Sequence, residues 1–411
     1  LSTYSPFQPL VTACLVEHSE ITPTVLEQLK EVLMYRDATY YFLRHLSTRF
    51  KEIANYGNSK PAAFYENSLL VMQLCLDPKF PMEESLGQPI ERKTNLFRYT
   101  RLSNLRHEFT QVWLCFFQAH VPDRQMIKAI KILGDGLLHR LGEIRLFSDY
   151  IIPIFDPSGV ITESASESIP PIPATWSRAV TRTVIGLINR GGLNYPRLFP
   201  RLYELLDESL LMCPEVERFL VDLDMCLSSL HLAAHIVAAF LKRLSQLALI
   251  SPLRLTTAFL LLVRNGLKRH IKCSVLVHRK GRPPLRDEQV LVGNDETTPH
   301  TSSNGDPYQW NPKNLTSSGV MQSSLWEVAS LQHHYAFEVA HLAHQICHPK
   351  PNDPLDSTTP EELIKVQEKL IMESSKSAQN NLRVLTQSNY ELPQLDAMVG
   401  WVDDLGPGSV S

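Results

Sequence analysis

The sequence lacks the short motifs that announce chemistry. Its 411 residues hold no G-x-x-x-x-G-K-[ST] loop, no G-x-G-x-x-G turn, no G-x-S-x-G elbow and no H-E-x-x-H pair. Those patterns supply a phosphate cradle, an exposed nucleophile or paired metal ligands, so an enzyme reading has no residues to stand on. The seven cysteines are scattered and none forms a C-x-x-C pair, which reads as buried free thiols in a reducing compartment. Glycine is scarce, with 17 residues, and this argues against a sheet built on tight turns. Long apolar runs are missing too. Leu255–Val263 is bounded by Arg254 and Arg264, far short of the ~20 residues that span a bilayer, so no membrane is expected. Net charge is only -3 and by itself points to no partner.

What is present is leucine, about one residue in seven, together with 28 prolines. Leucine-rich, glycine-poor stretches punctuated by proline favour many medium-length helices, so the expected class is all-α. With 44% apolar and 20% charged residues, the chain can bury a large core without staples. The length fits two or three domains or one long repeat array. The sequence begins with Leu1 rather than Met, which leaves the true N-terminus open.

Along the chain, apolar residues recur at helical spacing from Pro23 to about Lys51, with Thr22 and Pro23 as the start signal. Ala62–Leu76 reads as a further helix stopped by Asp77-Pro78. Leu102–Ala119 and Asp123–Leu146 read as a helix pair. Phe155–Pro173 is rich in Ser, Glu and Pro and reads as a linker or insertion. Helices follow at about Trp176–Arg190, Pro196–Leu211, Glu215–Leu227, Leu232–Leu249 and Pro252–His270, with Gly191-Gly192 as a helix stop. Gly281–Gly319 reads as a long polar loop, Ser323–Cys347 as a final strong helix, and Pro360–Lys376 as a weaker one in the tail. Short connections favour antiparallel neighbours. The expected architecture is therefore an α-solenoid of HEAT/armadillo-like helix pairs with long polar loops. Its parts are an N-terminal helical repeat region over 1–154, a polar linker over 155–175, a helical domain over 176–348 containing the loop 281–322, and a partly disordered tail over 349–411.

Charge is uneven along this frame. No carboxylate lies between Asp224 and Asp287, whereas Lys242, Arg243, Arg254, Arg264, Lys268, Arg269, Lys272, Arg279, Lys280, Arg282 and Arg286 all fall there. Lys242 and Arg243 flank the helical stripe of Leu232, Ile236, Phe240, Leu244 and Leu247 rather than join it. Such a stretch could neutralise RNA phosphates, meet an acidic protein surface, or simply be a solvated face with cations at helix ends. His334, His341, His344 and His348 cluster on one side of the last predicted helix, opposite Leu325, Val328, Leu331, Tyr335, Val339, Leu342 and Ile346. The His344/His348 pair with Cys347 could begin a metal site. Nothing supplies a second ligand group at recognisable spacing, so no metal or cofactor is expected. Asn314-Leu315-Thr316 fits a glycosylation acceptor, but the thiol pattern argues against secretion. Trp326 and Tyr335 fall nine apart on that same predicted helix, as core residues or as interface anchors.

An ordered set of short words runs through the C-terminal half. It includes Tyr195-Pro196, Leu202-Tyr203, Leu205-Leu206-Asp207, Arg218-Phe219 and Leu227-Ser228-Ser229-Leu230-His231-Leu232. After these come Val237-Ala238-Ala239-Phe240-Leu241-Lys242-Arg243-Leu244, Lys268-Arg269-His270, Val277-His278-Arg279, Asp306-Pro307-Tyr308, Ser323-Ser324-Leu325-Trp326-Glu327-Val328 and His334-Tyr335. In this order they resemble the CCAAT-binding-factor domain of nucleolar complex proteins, strongly over about 193–348 and weakly over 20–150. The sequence departs from that pattern at Ala233, where the family has proline, and in the polarity of Phe155–Pro173. Of the histidines, only His334 matches a family position.

The resemblance implies a non-enzymatic ribosome biogenesis factor of the nucleus and nucleolus with no small-molecule substrate. It implies pairing with a nucleolar protein 14-like protein in the small-subunit processome, where 18S rRNA matures and the 40S precursor is exported. A large-subunit paralogue, or a protein that binds pre-18S rRNA directly, stands as the alternative. The candidate partner or RNA interface comprises Lys242, Arg243, Lys268, Arg269, His278, Arg279, Trp326, His334 and Tyr335.

Overall fold

A computed structural model describes residues 7–56, 60–75, 101–157, 173–277, 306–308, 310–311, 315 and 318–349, plus isolated helical residues between 360 and 376. Everything described is helix, turn or irregular chain, with no strand among the described residues. The all-α class is therefore correct.

Proline explains many of the helix starts. The helices α4 (Ala62–Leu74), α6 (Asp123–Ile132), α8 (Ala174–Gly191) and α12 (Leu253–Arg269) each follow directly on a proline, at Pro61, Pro122, Pro173 and Pro252. At this N-cap position the ring's fixed φ suits the extended backbone that precedes a helix, and a residue outside the first turn loses no intrahelical bond by lacking an N–H. Helix α8 ends where the glycine pair stands. Gly192 is left-handed at φ 62, and the Leu193 N–H returns to the Leu187 carbonyl, a stop that favours a residue without Cβ.

In the N-terminal half, α5 (Leu102–Gln118) packs along α3 (Arg36–Tyr56). Their seam is aromatic: the Phe50 and Phe116 rings meet edge-on at 5.4 Å, and Phe109 meets Trp113 at 6.2 Å. In the C-terminal half, α11 (Ala234–Ile250) and α12 form a helical hairpin across Ser251-Pro252. A Cβ at Gly266 would lie 2.5 Å from Leu241 Cδ2, so glycine is what permits their close approach. One hydrophobic cluster runs from Val11 through both halves to Ile346, and Ile364 of the tail joins it.

Three predicted helices are interrupted. Asp123–Leu146 stops at Ile132, where the chain passes through an irregular turn with Gly136 at φ 142. Short 3-10 turns follow at Leu138–Arg140 and Ile144–Phe147, then helix α7 (Ser148–Phe155). Pro196–Leu211 divides into α9 (Leu198–Glu204) and a 3-10 turn over Glu208–Met212, on either side of Asp207. Ser323–Cys347 divides into α13 (Trp326–Leu331) and α14 (Phe337–Cys347). His334 is thereby separated from His341, His344 and His348, and Tyr335 leaves the apolar side to stand 84% exposed. Ala233, in the place of the family's proline, is extended at φ -65 and ψ 133 directly before α11. That is a conformation proline would also adopt, so the helix starts there without it.

The polar loop needs correcting as well. Tyr308, Leu315, Ser318 and Val320 are buried, so part of that segment belongs to the core. Gly281–Gly305 and most of the linker, residues 158–172, lie outside the described residues, as do 377–411.

Candidate interaction surface

Helix α11 is buried on nearly all sides, because Asp306, Tyr308, Trp310, Ser324 and Glu327 lie against the face that its sequence marks as polar. Lys242 and Arg243 are therefore inside the fold, 0% and 7% exposed. The expectation that they flank the stripe as surface cations is corrected. An ammonium can be buried only where its donors and its charge are met, and here they are. Lys242 Nζ donates to the Ser324 carbonyl at 2.6 Å and to Glu327 Oε2 at 2.9 Å, and lies 2.5 Å from Asp306 Oδ2. Burial, which outweighs the bonds from Lys242, raises the Glu327 carboxyl above its ordinary value. At Asp306 burial pulls the same way, but hydrogen bonds from Lys242, Ser323, the Tyr308 N–H and Trp326 together overcome it and hold that carboxyl low. Lys242 thus meets two carboxylates whose surroundings shift them in opposite directions.

Neighbouring contacts lock the same segment. The Tyr203 and Tyr308 hydroxyls are 2.5 Å apart. Arg243 Nε donates to the Leu206 carbonyl at 2.8 Å, and its guanidinium lies 3.9 Å from the Trp310 ring centre. One buried cation escaped the sequence reading. Arg178 is 1% exposed and donates to the Leu205 carbonyl, Asp207 and Ser209. A basic residue in the middle of an apolar helix face was the available signal.

The remaining cations of the basic stretch find carboxylates from distant parts of the chain. Arg269 pairs with Asp224 through two bonds of 2.7 and 3.2 Å, and Arg254 reaches Glu368 at 3.0 Å. Lys268 is half-buried and Lys272 is exposed. His278 and Arg279 lie outside the described residues. Among the described residues of the stretch, Lys242, Arg254 and Arg269 are therefore met by carboxylates within the fold.

Aromatic exposure is concentrated around α13 and α14. Trp326 is 47% exposed while its Nε1 donates to Asp306 Oδ2 at 2.9 Å, so the Lys242 cluster fixes its indole. Tyr335 and Phe337 are exposed at this turn, lying against the His334 and His341 rings at 4.3 and 5.5 Å, and the turn is held by the Ala336 N–H donating to His334 Nδ1 at 3.1 Å. His341, His344 and His348 are exposed. The His344 and His348 rings stack at 4.5 Å, and no group of three or more His, Cys, Asp or Glu suited to a metal occurs among the described residues. No helix among them is long and apolar enough to cross a membrane.

Residues 180–343 match the model of the CBF/Mak21 family. This matched region contains the Lys242 cluster and the exposed aromatic turn, while α1 (Phe7–Cys14) and α3 to α7 precede it. The chain is similar to the human nucleolar complex protein 4 homolog, 29% identical over 335 residues, which cover 81% of this chain and 58% of that protein. The chicken protein of the same name is 27% identical over 332 residues, 80% of this chain and 59% of the relative. A mouse relative, also so named, is 31% identical over 247 residues, 60% of this chain and 42% of its own length. The chain therefore spans less than two thirds of these relatives.

Proposed function

We propose that this protein is a non-enzymatic ribosome-assembly scaffold of the nucleolus. Its HEAT/armadillo-like helix pairs form a solenoid that presents the α13–α14 turn to a partner protein. The observation that carries this reading is the placement of Trp326, Tyr335 and Phe337. These are large aromatic side chains exposed on and beside a turn where Trp326 is bonded to Asp306 and the His334 ring accepts from the Ala336 N–H. Exposed aromatics on a fixed support are the usual anchors of a protein interface. The relatives' printed names, nucleolar complex protein 4 homolog, support the nucleolar location and a role within a complex.

On this reading the partner is a nucleolar protein 14-like protein, and the process is small-subunit processome assembly and 18S rRNA maturation. Lys242 and Arg243 act by holding Asp306, Trp310 and Glu327 in place, whereas Lys268 and Arg269 lie at the end of α12 where a partner could reach them. Depletion should accumulate unprocessed 18S precursors. Normal 18S with defective 25S/28S would instead assign the protein to the large subunit.

A further inference from the structure

We propose that the corner formed by Arg106, Arg140, Arg145 and Arg190 binds the phosphodiester backbone of RNA. This surface lies outside the basic stretch of 225–286 and away from the aromatic turn in sequence, and it comes from three elements. The chain between α6 and α7 is gripped on one side by α5, where the Gly142 N–H donates to Thr110 Oγ1 at 2.9 Å. On the other side it rests on α8, where the Arg145 side chain bonds the Gly191 carbonyl and the Arg145 Cγ would lie 3.7 Å from a Cβ on that glycine. Arg106 sits one turn before Thr110 on α5, and its carbonyl accepts from the Thr110 hydroxyl. Arg190 closes α8. The four guanidiniums thus share one corner, with two clefts of about 470 and 360 Å³, the first lined by Arg140 and the second by Arg145 and Arg190.

These cations are not matched as the others are. Arg106 and Arg190 are exposed and make no side-chain hydrogen bond or ion pair among the described residues. Arg140 Nε donates only to His139 Nε2, at 3.3 Å. Two carboxylates line the clefts. Asp135 is already engaged by Arg182 and Arg218, which leaves Glu143 against the arginines. The His139 ring senses this imbalance: burial first, then the charges of Arg140, Arg190 and Arg106, hold it below its ordinary value.

The chemistry favours phosphate over a protein partner. Guanidiniums fork onto phosphate oxygens in pairs, and backbone binding needs cations at several points but no apolar anchor. A protein interface would show buried aromatic or aliphatic anchors, and the large apolar side chain exposed on this turn is Leu146, at 42%. Arginine at a helix C-terminus has an ordinary explanation in the helix dipole, which covers Arg190 and, at the ends of short 3-10 turns, Arg140 and Arg145, but not Arg106. The choice of RNA over DNA rests on the nucleolar reading above; the phosphate site itself does not.

The test is fluorescence anisotropy of the full chain with a labelled RNA hairpin over a salt series from about 50 to about 300 mM. The variant R106Q/R190Q, which breaks no bond in the fold, should weaken binding by at least about fivefold. The variant R106Q/R140Q/R145Q/R190Q should weaken it by at least about thirtyfold and flatten the salt slope by roughly 3. K272Q, in the other basic stretch, should change little. Unchanged affinity in R106Q/R190Q overturns the proposal, and so does an equal loss in K272Q. Polyglutamate that competes as well as RNA would make the corner an acidic-protein site, and tighter binding of the matching DNA hairpin would remove RNA as the ligand. Retained partner binding in these variants keeps the result distinct from failure of the aromatic turn.

Discussion

Replacing Lys242 with Met tests the buried cluster most sharply. The methionine fills similar volume but removes three donors and the only charge matched to Glu327, which is 0% exposed. Breaking a buried pair from one side costs about 3–5 kcal/mol, because the remaining charge is left uncompensated. For a unit the size of the matched region, residues 180–343, each kcal/mol lowers Tm by about 2–4 °C, so a fall of about 6–20 °C is expected. Removing the second partner as well, in K242M/E327L, should recover most of it, since Asp306 is 22% exposed and keeps Trp326 and the Tyr308 N–H. The pH dependence has a definite sign. A carboxyl whose folded pKa is raised favours folding below its unfolded value of 4.5 and loses that contribution as pH rises. Without Lys242 the rise is larger, so the gap between K242M and wild type should narrow from about pH 8 to about pH 5. Thermal melts followed by circular dichroism read both effects. A loss under about 1 kcal/mol, or a gap that widens on acidification, would refute the argument.

Arg178→Met should destabilise by about 1–3 kcal/mol, chiefly by leaving the Leu205 carbonyl without its donor, since Asp207 is 36% exposed and can be solvated, measured by urea unfolding. Gly266→Ala should cost about 1–3 kcal/mol by forcing Leu241 away, and a Leu241→Val second substitution should ease it. W326A/Y335A should leave Tm within about 3 °C yet reduce recovery of the partner at least tenfold in pull-downs, as loss of two interface anchors predicts. The buried thiols should resist alkylation in the native state. Burial pushes Cys14 and Cys273 up to about 11, so iodoacetamide at about pH 8 should label them only after denaturation.

Much of the helical frame was legible because it follows from local rules. Proline before the first turn, glycine after the last and leucine at helical spacing act within a few residues. What escaped was long-range. Lys242 looked exposed because no carboxylate stands near it in sequence, yet its partners are Asp306 and Glu327. The same distance hid Asp224 from Arg269 and Glu368 from Arg254. An apolar stripe reports one buried face and cannot say that a later segment covers the opposite one. The break between α13 and α14 was missed because Gln332–Ala336 contains neither glycine nor proline. Its turn is held by the His334 ring bonding the Ala336 N–H, a side-chain bond without a distinctive sequence mark. The uncompensated arginine corner was invisible for a related reason, since Arg106, Arg140, Arg145 and Arg190 come together only when α5 and α8 pack on the turn between them.

The scaffold reading is tested most directly by affinity purification of the tagged protein from nucleoli, with mass spectrometry of what co-elutes. The expected result is a nucleolar protein 14-like protein in near-equal amount with small-subunit precursors, both depleted by W326A/Y335A. Recovery of large-subunit precursors, or of the protein alone, would contradict it.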